Sequence, residues 1–247
     1  MPDQNLAVVI LAAGKGTRMK SDLAKVLHPL AGRPLLKHVL DQVSGLEPER
    51  VILVVGYQAD LVKRDFDDPA IEFVMQEQQL GTGHAVLQSE KALAEFDGDV
   101  LILCGDMPLI KSETLKSLLQ GHRETGATCT FLSLKAGGKK DFGRVIRDED
   151  GEVTKIVEHR DATAAEITVD EYNSGVYCFQ KGLLFKALTV IRPENAQGEY
   201  YLTDTVQTLI KSGHRVQAIP KSDANEILGI NSLDDLKRAE QLLSESS

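Results

Sequence analysis

Residues 14–18 read Gly-Lys-Gly-Thr-Arg, directly after an apolar run that starts at Leu6, and Lys25 follows a short way on. Glycines let backbone N–H groups approach an anion closely, and Arg and Lys add permanent positive charge, so these residue types suit a polyphosphate. A plain charged turn is the other reading, because glycine-rich turns after strands are common. Two familiar phosphate loops do not fit: the P-loop and the dinucleotide fingerprint both need a glycine where Met19 stands. Asp106 follows a second apolar run, Val100–Cys104, and precedes Met107-Pro108. Its carboxylate is expected to face the space beyond a strand end, unless it caps the next turn. Gln76 opens the stretch QEQQ, and an amide can both donate to and accept from a pyrimidine edge. A solvated polar run is the plainer reading of that stretch.

Other chemistry is less well supplied. His28, His38, His84, His122, His159 and His214 share no ligand spacing, and His84 and His159 are expected to pack or hydrogen-bond. Cys104, Cys129 and Cys178 are lone and fit neither a disulfide framework nor a zinc site.

The elements that must position these residues alternate. Leu6–Leu11, Val51–Val55, Ile71–Met75 and Val100–Cys104 read as buried strands. Between and after them, helices are expected over Pro34–Val43, Gln58–Phe66, Ala85–Phe96 and Ser112–Arg123. This order predicts a parallel sheet with right-handed crossovers and a ligand beyond the carboxyl ends of its strands. The second half is richer in β-structure. A hairpin turns at Asp150-Gly151, a strand over Tyr172–Phe179 is interrupted at Asn173-Ser174-Gly175, a helix covers Leu202–Lys211, and a strand covers Arg215–Ile219. A closing helix runs over Ser232–Leu243, with Ser232 and Asp235 spaced as a capping box. One α/β unit, residues 1–247, is the expectation.

The 247 residues, 42% hydrophobic and 26% charged, suit an ordinary globular protein with a full core. No apolar stretch reaches the length of a membrane span, and no signal peptide is legible, so a cytoplasmic protein without a membrane partner is expected. A net charge of −9 argues against a nucleic-acid partner and leaves room for a small anion held by a local cationic cluster.

The segment LAAGKGTRMKSDLAKVLHPLAGRPLL resembles the signature of sugar-phosphate nucleotidylyltransferases. QEQQLGTGHA, CGDMPLI, FGRVIR, IVEHRDAT, EYNSGVY, NAQGEYYLTD and GIN follow in the order seen in one branch. That branch is the uridylyltransferase part of the bacterial bifunctional enzymes that make UDP-N-acetylglucosamine, and the likeness spans nearly the whole chain. It implies a Rossmann-like, mostly parallel mixed sheet flanked by helices, the nucleotide-diphospho-sugar transferase fold. Residues 1–111 would serve mainly the nucleotide, and residues 112–247 the sugar. It implies UTP and N-acetylglucosamine 1-phosphate as substrates and Mg²⁺ as cofactor. Two departures are visible: Ala24 stands where the family usually has proline, and Cys104 where it commonly has tyrosine. The family's β-helix of hexapeptide repeats is not among these residues, so acetyl transfer is expected to lie outside them, and a monomer is expected.

The resemblance implies roles by position. Arg18 and Lys25 would neutralise the reacting phosphates. Leu11, Ala12, Ala13, Gly14, Lys25, Gln76, Gly81 and Thr82 would bind the nucleotide. Gly143, Glu158, Asn173 and Tyr200 would bind the sugar, and Asp106 with Asn231 would hold Mg²⁺. The plainer alternatives are a helix-region cap for Asn231, a sheet-edge carboxylate for Glu158 and a bulge residue for Asn173. At the level of activity, the alternatives are a sister enzyme using another sugar or base, and a non-catalytic sensor of nucleotide-sugars.

Overall fold

The structure is a computed structural model and describes residues 5–135, 142–221 and 223–245. It opens with β1 (Leu6–Ala12), whose Val8 and Ile10 enter one core while Ala7 and Val9 enter another. Both faces are covered, which is why the run is apolar without alternation. Two 3-10 turns follow, Thr17–Met19 and Lys25–Leu27, then a small ribbon of β2 (Pro29–Leu30) and β3 (Arg33–Pro34). α1 (Leu35–Ser44) begins after Pro34 and buries Leu35, Leu36, Val39 and Val43.

The alternation continues through β4 (Arg50–Val55), α2 (Ala59–Asp65), β5 (Ile71–Met75), α3 (Thr82–Leu87) and β6 (Asp99–Cys104). α3 is shorter than the pattern over 85–96 predicts. The Ser89 hydroxyl bonds the Val86 carbonyl, and the chain goes on in i→i−3 turns that still bury Leu93 and Phe96. α4 (Ser112–Thr125) and β7 (Cys129–Lys135) complete the first half. β8 (Arg144–Arg147) and β9 (Val153–Val157) form the expected hairpin. α5 (Ala164–Ile167), β10 (Glu171–Gln180), α6 (Lys181–Val190), α7 (Asp204–Lys211), β11 (Val216–Lys221) and α8 (Leu233–Glu245) follow. β10 is continuous, and the interruption expected within it is a register shift against β7 between Asn173 and Tyr177.

The main sheet runs β11-β7-β10-β6-β1-β4-β5, with β8 joined to β10 and β9 to β8. β6, β1, β4 and β5 are parallel, and β10 runs antiparallel to β6 and β7. Residues of α1, α2 and α4 share one core, and residues of α3, α6 and α7 share the other. From β1 the chain first builds outward to β4 and β5, then returns to lay β6 on the other side of β1. That reversal splits the connections at the carboxyl ends of β1 and β6 and opens a crevice there. No helix among the described residues is long and apolar enough to cross a membrane.

Candidate functional site

The glycine loop leaves β1 at that crevice. Gly16 takes φ +69°, and a Cβ there would lie 2.7 Å from the Lys25 Cβ, so the loop folds tightly against the turn that carries Lys25. Lys25 Nζ pairs with the Asp106 carboxylate and donates to Asn231 Oδ1 at 3.1 Å. Arg18 Nη2 donates to the same Asn231 oxygen at 2.9 Å. Four residues from three distant segments therefore meet at one point. Asn231 reaches it because Ile230 N–H donates to the Asp106 carbonyl at 2.9 Å. The capping box of α8 also forms, with the Ser232 hydroxyl accepting from Asp235 N at 3.2 Å and the Asp235 carboxylate accepting from Ser232 N at 2.9 Å. That carboxylate holds the Asn231 backbone as well, at 3.0 Å, so the Asn231 side chain faces the cations instead of capping the helix.

A cavity of about 280 Å³ beside this cluster is lined by Leu11, Ala12, Ala13, Gly14, Lys25, Gln76, Gly81, Thr82 and Asp106, among others. All eight residues expected on the nucleotide side lie there. In the QEQQ stretch, Glu77, Gln78 and Gln79 are exposed as a solvated run would be, but Gln76 is only 4% exposed. Its Nε2 donates to the Gly81 carbonyl at 3.1 Å.

A second cavity, of about 470 Å³, is lined by Thr17, Arg18, Glu158, His159, Arg160, Gln197 and Tyr201. Glu158 accepts from the Thr203 hydroxyl at 3.0 Å. Burial pushes its carboxyl up, and the charges of Asp204, Asp161 and Glu199 add to this, while Thr203 opposes. Gly143 and Asn173 lie beside it: Asn173 N donates to the Gly143 carbonyl at 2.9 Å, and a Cβ on Gly143 would be 3.4 Å from Glu158 Oε2. Tyr200 does not join this group. Its ring packs 6.4 Å from the His84 ring, and Tyr201 is the tyrosine that lines the Glu158 cavity. Adjacent residues leave an irregular segment on different sides, which spacing alone does not reveal.

The two family departures now have surroundings. Ala24 N–H, which a proline would lack, donates to Gln58 Oε1 at 2.7 Å, so the side chain of the residue just before α2 anchors the approach to Lys25. Cys104 lines the cavity of the glycine loop, where burial and then the Asp106 charge push its thiol up to about 12, with Lys25 opposing. Val26, Gln79, Ala85, Cys104 and Glu199 also line the cavity, beyond the residues expected there. Gln79 Nε2 donates to the Ala13 carbonyl at 2.8 Å, tying the loop after Gln76 to the glycine loop.

For a divalent cation, the donor chemistry of Asp106 and Asn231 fits. Both offer hard oxygens, and those oxygens already share one cationic partner, the Lys25 ammonium. Sequence spacing also hid a buried cluster elsewhere: donor atoms of Asp99, His122 and Cys178 lie within 4.8 Å of one another. There Asp99 accepts from Arg123 at 3.0 Å and lies 3.5 Å from His122 Nε2, so the cluster is already engaged in internal polar contacts. Burial raises the Asp99 carboxyl, but bonds from His122 and Arg123 outweigh that and hold it low.

Compared with known proteins, residues 7–238 match the family described as nucleotidyl transferase. The bifunctional protein GlmU of Desulfotalea psychrophila is 44% identical over 238 residues, covering 96% of this chain and 70% of that one. That of Exiguobacterium sibiricum is 47% identical over 96% of this chain and 52% of its own length. For Bacillus cereus the values are 46%, 97% and 52%. The chain thus spans about half the length of the latter two relatives. A solved structure of UDP-glucose pyrophosphorylase complexed with UDP-glucose superposes with a TM-score of 0.79. It covers 99% of this chain and 100% of that one at 16% identity, a likeness of fold alone.

Proposed function

Because the chain belongs to the nucleotidyl transferase family, we propose that it joins UTP and N-acetylglucosamine 1-phosphate to give UDP-N-acetylglucosamine and pyrophosphate. A phosphate oxygen of the sugar 1-phosphate attacks the α-phosphorus of UTP, and the bond from that phosphorus to the β-phosphate oxygen breaks. Pyrophosphate leaves with the bonding pair. The nucleophile is already an anion near neutral pH, so no side chain has to take a proton, and catalysis reduces to positioning and charge neutralisation.

The observation that carries this reading is the meeting of Arg18 and Lys25 with Asp106 and Asn231. Lys25 and Asp106 line the cavity of the glycine loop, while Arg18 lines the cavity of Glu158. The two cations therefore stand between the two substrates. The backbone of residues 11–14 and Lys25 bind the triphosphate, Gln76, Gly81 and Thr82 bind the base, and Arg18 orients the sugar phosphate. Glu158, Asn173 and Gly143 bind the sugar, with Tyr201 beside them. Asp106 and Asn231 would hold Mg²⁺, which when bound supplies divalent charge against the crowded phosphates. The first 111 residues contribute mainly to the nucleotide side and the remainder mainly to the sugar side, in a cytoplasmic setting.

The test is pyrophosphate release from UTP and N-acetylglucosamine 1-phosphate, with Mg²⁺ and with EDTA, and with glucose 1-phosphate alongside. Metal-dependent release with the first pair is expected, and Lys25→Ala is expected to lower kcat/KM about 10²–10³-fold. Release with glucose 1-phosphate alone would move the substrate to a sister sugar. Tight UDP-sugar binding without release from any pair would defeat the reaction.

A further inference from the structure

Gln76 and Gln88 approach the two nitrogens of one imidazole. Gln76 Nε2 lies 3.1 Å from His84 Nδ1, and Gln88 Nε2 lies 3.2 Å from His84 Nε2. Each amide nitrogen is also anchored by a carbonyl: Gln76 by Gly81 at 3.1 Å, Gln88 by the backbone of His84 itself at 3.1 Å. A carbonyl accepts only from the NH₂ end, so these two contacts orient both amides. Burial holds the His84 imidazole below its ordinary range, which favours the neutral ring with one lone pair to offer. The ring is itself set in place against Tyr200, at 6.4 Å between centroids. With that lone pair on Nδ1, Gln76 is held with its NH₂ turned inward by Gly81 and His84 together, and the Gln88 NH₂ then makes no hydrogen bond to the ring. The Gln76 carbonyl oxygen is the half that has no hydrogen bond within the chain among the described residues.

Resting on the uridylyltransferase reading, we propose that His84 is a positioning residue that sets pyrimidine choice by locking the Gln76 amide. The locked amide presents an acceptor to the nucleotide cavity that Gln76 lines. An acceptor matches the N3–H of uracil. Cytosine carries a lone pair at N3, so the two lone pairs would oppose each other. With His84 removed, the Gly81 carbonyl alone holds the NH₂ inward, and the amide turns over more readily to present its NH₂, which suits cytosine as well. The geometry thereby assigns selectivity to a residue behind the one that touches the base, and it gives the histidine of the QEQQLGTGHA stretch a task beyond packing.

The experiment measures equilibrium binding of UTP and CTP to the full chain and to two variants. His84→Phe keeps a ring against Tyr200 and removes both nitrogens, while His84→Gln returns an amide that can accept from Gln76. The parent is expected to prefer UTP. His84→Phe is expected to cut the UTP:CTP affinity ratio about tenfold, chiefly through weaker UTP binding, and His84→Gln to recover most of it. Equal weakening of both nucleotides by His84→Phe, an unchanged ratio, or a parent without preference would overturn the proposal. A merely structural role predicts equal weakening. Failure of the reaction is read separately: UTP-selective binding without pyrophosphate release would sink the uridylyltransferase reading and leave the lock standing.

Discussion

Asp204 stands at the start of α7 near other acids, and its carboxyl is pushed up to about 6 by burial and then by the charge of Asp161. Unfolded, it titrates near the ordinary 3.8. The folded state therefore holds the proton more tightly, and the stability this contributes is present below about pH 3.8. It is lost as pH rises through about 6, so at neutral pH the ionised carboxylate is a cost. Asp204→Asn is expected to raise Tm at pH 7.5 by about 2–6 °C and to leave it nearly unchanged at pH 4. Thermal unfolding at the two pH values checks this, and an equal rise at both would place the gain elsewhere. Glu158 is raised for the same leading reason, burial. Acidic residues so close to a proposed phosphate site need nearby cations, and Arg18 and Arg160 line the Glu158 cavity.

At the scale of elements, the loop of residues 80–82, proposed to bind the base, is held by the irregular segment before α7. Gly83 N donates to the Tyr200 carbonyl at 2.8 Å, Tyr200 N donates to the Leu80 carbonyl at 2.8 Å, and Leu202 N donates to the Thr82 hydroxyl at 3.0 Å. Gly81 sits inside this clamp at φ +109°, and a Cβ there would lie 2.6 Å from the Tyr200 carbonyl oxygen. Gly81→Ala must therefore open the clamp. It is expected to raise KM for UTP about tenfold with a smaller change in kcat, read from steady-state kinetics; an unchanged KM would uncouple the clamp from nucleotide binding. β7, which lies between β11 and β10 in the sheet, was not among the strands read from the sequence. β1, β4, β5, β6 and the helices α1, α2 and α4 were legible because apolar spacing is a local signal. α3 was not: the turns after Leu87 keep the same buried spacing, so the pattern ran on where the α-helix stops.

The whole molecule closes on itself through a small third core. Met19 of the glycine-loop turn, Leu30 and Leu35 pack with Leu228, Ile230 and Ala239 from the end of the chain. This core sets Asn231 against Arg18 and Lys25, so stability and site geometry are coupled there. Met19 is 1% exposed, and Met19→Ala is expected to cost about 2–5 kcal/mol in unfolding free energy. It should also lower turnover under conditions where the variant is still fully folded, checked by denaturant melts and assays on the same samples. Full turnover from a destabilised variant would break the coupling. By itself the sequence determined the alternation of strands and helices, the residue types at the exits of β1 and β6, and the family, because each is written in local spacing. Only the tertiary structure decided that Asn231 turns its amide to the cations instead of capping α8. It alone placed Tyr201 beside Glu158 and turned Tyr200 to His84, and it alone anchored Ala24 through Gln58. Those contacts depend on strand order and on packing between segments far apart in the chain, which no local period records.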